Sequence, residues 1–323
     1  MIITVTPNPS LDRTYEVPAL DRGEVLRATG ERVDPGGKGV NVSRAVAAAG
    51  FRTTAVLPLG GAAGTLLAEL LTAEGVDVTA VSIVGRTRSN ISIAEPDGTL
   101  TKLNAPGPEL TREETALLLD TVGACAGDAA WIACCGSLPP GLGPAWYAEL
   151  VDRAHASGAR IALDTSGPAL PAALRARPEV IKPNAQELAE AVGRPLATLG
   201  DAVKAAEELR SLGAGAVLAS LGGDGQLLAS AEGTYYGTAP VAPDRVRSNV
   251  GAGDAALAGF LIAGGAGPDA LASALSHGAA AVQLPGSAMP TPSDLRPEAV
   301  RITRDLPLDL LLSAGPGKAA GTA

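Results

Sequence analysis

Short hydrophobic runs alternate along this chain with longer stretches whose apolar positions recur at helical spacing. The runs predict strands at 2–6, 53–57, 76–84, 131–135, 160–164, 180–182 and 216–221. The periodic stretches predict helices over 40–49, 65–73, 145–157, 186–192, 201–212, 255–263 and 271–283. Strands that are apolar throughout, rather than on alternate residues, must be buried on both faces. Alternation with helices therefore predicts an α/β fold, with a mostly parallel sheet flanked by helices on both faces. Segments 12–31 and 86–104 break the pattern: they are more polar and carry alternating apolar residues such as Ile91, Ile93 and Leu100. These predict a small β-sheet lid inserted in a single domain spanning 1–313. The small-residue, Gly-rich stretch 314–323 is expected to be a disordered tail. In parallel sheets the ligand crevice lies at the carboxyl ends of the strands. Polar candidates at such ends are Asp164, Lys182 with Asn184, and Ser220.

Composition narrows the partners. The chain has 323 residues, enough for a large core, and a net charge of −9 without a basic block, so neither nucleic acid nor a membrane surface is an expected partner. Aromatics make up only 2%, which leaves Ala, Leu and Val to fill the interior. Uninterrupted apolar runs fall short of membrane-spanning length. The opening residues read as a strand rather than an export signal, and Cys125, Cys134 and Cys135 form neither a disulfide framework nor a metal-ligand spacing. A cytoplasmic location is expected. His155 and His277 stand far apart, with no Cys or carboxylate at ligand spacing, and are expected to be helix-surface or packing residues.

The densest chemistry lies in Asn249-Val250-Gly251-Ala252-Gly253-Asp254, directly before a helix-compatible run. Glycines let successive amides converge, and a helix N-terminus adds partial positive charge, which makes an anion site. A carboxylate placed there would repel the anion, and makes sense if Asp254 must remove a proton beside a phosphate. That combination suggests phosphoryl transfer to a hydroxyl. A plain helix entry, with Asp254 serving the dipole, explains the same residues. A dinucleotide fingerprint over Gly251, Gly253 and Ala256 fails, because a polar stretch precedes it and a loop stands where an acid is required.

A second glycine turn, Gly36-Gly37-Lys38-Gly39-Val40-Asn41, opens another helix and lacks the Ser or Thr of a P-loop. Lys38 and Asn41 are expected to face one side of the helix start. Asp12 follows the first strand, and Arg88 offers a bidentate cation from the lid. Asn184 and Glu187 are three residues apart after a strand. They can hold a hydrated Mg²⁺ near nucleotide phosphates, or form a helix-capping box, or both. Ser220, Gly222 and Gly225 belong to a turn between strands, open to a nucleotide or serving only a hairpin.

The ordered set of these motifs resembles the ribokinase/PfkB carbohydrate kinases over roughly residues 2–291. The stretches that carry the resemblance are Thr6–Arg13, Asp34–Val42, Asn104–Pro108, Gly136–Gly141, Asp164–Gly167 and Lys182–Asn184. The resemblance implies an ATP-dependent, Mg²⁺-assisted phosphosugar kinase with a lid that also forms a homodimer contact. It assigns Asp254 as the base, and the amides around Gly251, Ala252 and Gly253 to the transferring group. Asp12, Gly37, Lys38 and Asn41 match sugar-binding positions, and Arg88 with Ser137 match contacts to the phosphate already on a phosphorylated ketohexose. Lys182, Asn184, Glu187, Ser220, Gly222 and Gly225 match the nucleotide region, with Asn184 and Glu187 near the metal. The branch most resembled acts on fructose 1-phosphate. Branches acting on tagatose 6-phosphate and fructose 6-phosphate are the alternatives, and Lys38 favours the first because a fructose 6-phosphate branch has Gly there. Two positions depart from the pattern: Asn249 stands where Thr is common and Ala255 where Ser is frequent. From another class, a non-catalytic phosphosugar sensor would keep the sugar contacts but has no need of Asp254.

Overall fold

The computed structural model describes residues 1–313, and the tail expected at 314–323 lies outside the described residues. The strands are β1 (Ile2–Val5), β2 (Ser10–Glu16), β3 (Gly30–Gly36), β4 (Thr53–Leu59), β5 (Asp77–Ser82), β6 (Arg88–Ala94) and β7 (Leu100–Leu103). After these come β8 (Trp131–Cys135), β9 (Arg160–Asp164), β10 (Val180–Ile181), β11 (Ala216–Ser220), β12 (Gln226–Ser230), β13 (Gly233–Thr238) and β14 (Arg301–Thr303). The helices are α1 (Lys38–Ala48), α2 (Gly61–Ala73), α3 (Arg112–Cys125), α4 (Trp146–Ala156) and α5 (Ala169–Leu174). They continue with α6 (Ala185–Val192), α7 (Leu199–Ser211), α8 (Ala252–Ile262) and α9 (Gly267–Ala281).

The large sheet runs in the order β14-β13-β12-β11-β10-β9-β8-β1-β4-β5. From β11 to β5 every pairing is parallel, whereas β12, β13 and β14 add an antiparallel edge. Side chains alternate between two cores. Ile3, Val5, Ile132 and Cys134 pack with α3 to α7, while Ile2, Trp131, Ala133 and Cys135 pack with α1, α8 and α9. Burial on both faces is why these strands read as unbroken apolar runs.

The predicted lid is a separate sheet, ordered β3-β2-β6-β7, with β2 and β6 parallel and the outer pairs antiparallel. Its first hairpin begins at Ser10 and ends at Gly36, wider than the 12–31 segment expected. Period-two alternation puts Asp12 and Asn90 on one face and Tyr15, Ile91 and Ile93 on the other. Helices α3 and α5 and strands β12, β13 and β14 lie outside the segments that the hydrophobic pattern predicts. Helix α3 is announced instead by a capping box between Thr111 and Glu114, and β14 is a three-residue strand whose pairing is supplied by β13.

Candidate active site

Strand ends, helix starts and the lid converge on one cleft of about 270 Å³, lined among others by Thr6, Asn8, Asp12, Gly37, Lys38, Arg88, Asn90, Ser137 and Glu187. Asp12 sits in mid-β2, where its carboxylate accepts hydrogen bonds from Ser10 Oγ (2.7 Å) and Asn90 Nδ2 (2.9 Å). Arg88, the first residue of β6, donates to the carbonyls of Ala105 (2.7 Å) and Asn8 (2.9 Å). Its Nε is buried without a partner among the described residues. Burial depresses the Arg88 pKa, an effect that Asp12 partly offsets. Ser137 follows β8, and its Oγ accepts weakly from Asn8 Nδ2 at 3.4 Å.

Lys38 is the first residue of α1, capped by Gly37. Its ammonium lies 2.6 Å from Asp164 Oδ1 and 3.0 Å from Glu187 Oε1. On the other side of Asp164, Lys182 Nζ is 2.8 Å from Oδ2. Asp164 is 1% exposed and Lys182 5%, so these two charges are held away from water, while the Lys38 side chain is 35% exposed. Burial opposes each charge, and the neighbours outweigh it. Asp164 and Glu187 keep Lys38 well above the usual lysine range, Asp164 raises Lys182, and the two ammonium groups depress Asp164. The arrangement is a cation–anion–cation chain along the strand ends.

Asp254 lies in the first turn of α8, whose N-cap, Gly251, takes a left-handed conformation (φ 79°). The carboxylate is 7% exposed, and its Oδ2 accepts from Asn41 Nδ2 at 2.8 Å. Burial, then repulsion from Asp164, pushes its pKa up to about 6, against the opposing pull of Lys182, the Asn41 hydrogen bond and Lys38. Helix geometry leaves the amides of Ala252 and Gly253 without intrahelical acceptors. Lys182 approaches this turn: a Cβ on Gly253 would lie 3.3 Å from its Nζ. As expected, Lys38 and Asn41 serve one side of α1, the first reaching Asp164 and the second Asp254.

The remaining sequence candidates border this cluster. Asn184 and Glu187 form the reciprocal capping box of α6, so the local structural reading of that pair holds. Glu187 still reaches Lys38 with its second oxygen, and Ser220 lies beside Asn184, donating its amide to Pro183 O at 3.0 Å. In the following turn Gly222 faces open space. Gly225 has φ 107°, and any Cβ there would strike the Gly237 carbonyl. Hairpin packing alone therefore requires glycine at 225. Sequence reasoning did not find the role of Asp164; its signal was only a carboxylate closing an apolar strand. Nor did it single out Asn8 and Asn90, which orient Ser137 and Asp12.

A carboxylate with a pKa near 6 is mostly ionised at neutral pH yet basic enough to take a proton from a hydroxyl as that oxygen attacks. Set at a helix N-terminus within the fields of Lys182 and Lys38, it has the chemistry that phosphoryl transfer to an alcohol requires, and the frame around it is ribokinase-like. The profile of the pfkB family carbohydrate kinases matches residues 6–294. The 1-phosphofructokinase of Rhodobacter capsulatus is 39% identical over 289 residues, covering 86% of this chain and 90% of that one. The 1-phosphofructokinase of Haloferax volcanii is 41% identical over 266 residues, covering 81% and 84%. The structure of phosphofructokinase-2 from Escherichia coli in complex with substrates and products superposes with a TM-score of 0.84 at 34% identity, covering 91% of this chain and 96% of that one. The chain belongs to the pfkB family of carbohydrate kinases. Among the described residues no helix is long and apolar enough to cross a membrane.

Proposed function

We propose that this kinase transfers the γ-phosphoryl group of ATP to the 6-hydroxyl of fructose 1-phosphate, giving fructose 1,6-bisphosphate and ADP. The carrying observation is Asp254: a buried carboxylate, hydrogen-bonded by Asn41, at the amide-rich start of α8 and joined electrostatically to the Lys38–Asp164–Lys182 chain. As the hydroxyl oxygen attacks the γ-phosphorus, its proton passes to Asp254. The bond from that phosphorus to the bridging oxygen breaks, and ADP keeps the electron pair. Amides at Gly251, Ala252 and Gly253 face the transferring group, which needs positioning and charge neutralisation more than covalent help. Asp12, Gly37, Lys38 and Asn41 hold the sugar. Arg88, with its unpartnered Nε, and Ser137 hold the phosphate already present. Lys182, Asn184, Glu187, Ser220, Gly222 and Gly225 border the nucleotide, with the lid shielding the reaction from competing water.

The donor chemistry here fits Mg²⁺: Asn184 and Glu187 offer hard oxygen ligands, with Glu187 sharing its charge only with Lys38, whereas Asp164 is already held between two ammonium groups. No cluster of three His, Cys, Asp or Glu side chains forms among the described residues, so Asn184 and Glu187 would hold the ion through water. Bound there, Mg²⁺ supplies charge neutralisation for the phosphates of ATP.

The apolar lid face, with Tyr15 opposite Ile93 and Ile91 opposite Leu103, suits a second copy of this chain, and a homodimer is the assembly we favour. Ile91→Glu should return a monomer in light scattering. A cytoplasmic location accords with three free cysteines.

The decisive assay is ADP release from fructose 1-phosphate, tagatose 6-phosphate and fructose 6-phosphate under matched conditions. A preference for either 6-phosphate overturns the assignment of substrate while leaving the chemistry intact.

A further inference from the structure

The last described segment does not end at the sheet edge. Beyond β14 the chain runs back over the start of α7, with Leu306 and Leu312 packed against the main core. Backbone hydrogen bonds fix its path: Gly200 N donates to Leu308 O (2.9 Å), Leu199 N to Leu310 O (2.9 Å) and Leu312 N to Ala197 O (3.0 Å). The segment delivers Ser313 to the turn between β11 and β12. There the Ser313 amide donates to Asp224 Oδ2 (2.6 Å) and the Ser313 hydroxyl to Asp224 Oδ1 (2.9 Å). From the opposite side the Tyr236 hydroxyl donates to the Asp224 carbonyl.

Asp224 is thus gripped at three oxygens by two distant parts of the chain. Its turn needs the grip. Gly222 and Gly223 are exposed and meet nothing where a side chain would be, and glycine loses the most backbone freedom on ordering. A turn that must meet a ligand in one shape binds more weakly in proportion to the time it spends in others.

We propose that the Leu306–Ser313 strap is a positioning device for nucleotide binding: Ser313 clamps Asp224 and so holds the Ser220–Gly225 turn in its binding shape. Neither Ser313 nor Asp224 touches the reacting atoms. The proposal rests on the reading of that turn as part of the nucleotide site.

Its test is a separation of the two substrate constants in the full-length enzyme. Ser313→Pro removes both donors, and Asp224→Ala removes the acceptor from the other side. Each should raise the KM for ATP by ~5-fold or more while leaving the KM for the sugar phosphate within about twofold, as a drop in the competent fraction requires. Ser313→Thr keeps both donors and should behave as wild type, which a loss through mere local unfolding would not restore. Unchanged nucleotide KM in both disruptive variants overturns the proposal, as does an equal rise in both constants. Gly222→Val, which strains the turn itself, identifies what failed. If it alone raises the KM for ATP, the clamp is wrong and the nucleotide reading stands. If it too is silent, the nucleotide reading falls and the clamp with it.

Discussion

Replacing Asp254 by Asn separates the catalytic from the structural contribution of one buried charge. The amide is nearly isosteric, and its oxygen can still accept the hydrogen bond from Asn41 Nδ2. The carboxyl is raised from 3.8 to about 6, a little over two units. At 1.36 kcal/mol per unit, holding it ionised costs the folded state about 3 kcal/mol. The sign follows from proton counts. Between pH 4 and 6 the folded chain binds this proton more tightly than the unfolded chain does, so stability falls as pH rises through that window and stays lower above it. Asp254→Asn abolishes the penalty. At pH 8 the variant should melt a few degrees above wild type, and near pH 4 the gap should close. Catalysis should move the other way. Loss of a general base costs ~10²–10⁴ in kcat, or about 3–5 kcal/mol of barrier. Coupled ADP release at saturating ATP and fructose 1-phosphate measures the rate, and calorimetry at the two pH values measures the melting shift. A folded Asp254→Asn enzyme that keeps wild-type turnover ends the assignment of Asp254 as base and revives the sensor reading. A melting point that drops at pH 8 refutes the electrostatic account.

In wild type the same carboxylate should impose an acid limb on kcat near pH 6, with activity lost as pH falls and the base is protonated. Lys38→Met removes one of the charges that hold Asp254 down, so this limb should move to higher pH; a limb that stays put contradicts the Lys38–Asp164–Asp254 coupling. Asn41→Ala should move it the same way and lower kcat by about tenfold through lost orientation of the base, read from full pH–rate profiles. In the turn after β11, Gly225→Ala should destabilise by about 2 kcal/mol or more, because strain at φ 107° adds to a collision with the Gly237 carbonyl. Gly222→Ala, at φ 64° in open space, should cost only ~1 kcal/mol. Equal costs in denaturant titrations would show that the carbonyl contact does not matter.

Which features were legible in the sequence follows from how local they are. Strands β1, β8 and β9 could be read because burial on both faces leaves them apolar apart from Thr4 in β1 and the charged residues at the two ends of β9. The lid could be read because its two faces differ, but its limits at Ser10 and Gly36 could not, since those residues pair only through the fold. Helix α3 was signalled by its cap rather than by its apolar stripe, and strand β14 exists only because β13 offers it an edge. In the site, the loop before α8 carried its own chemistry in consecutive residues. Asp164 did not: its partner Lys38 is 126 positions away, and Asn41 lies 213 positions from the carboxylate it orients. For Gly225 the requirement sits on Gly237, and no pattern around 225 reveals it.

Strand β3 stops at Gly36 and α1 begins at Lys38, which leaves Gly37, with φ 119°, as the only residue between cover and floor. With so short a joint, any movement of the small sheet would be passed directly to the lysine. A tilt of the small sheet would carry the ammonium with it relative to Asp164 and Glu187, giving access and charge one shared pivot. Splicing an extra residue into that pivot is the direct way to let the two move independently.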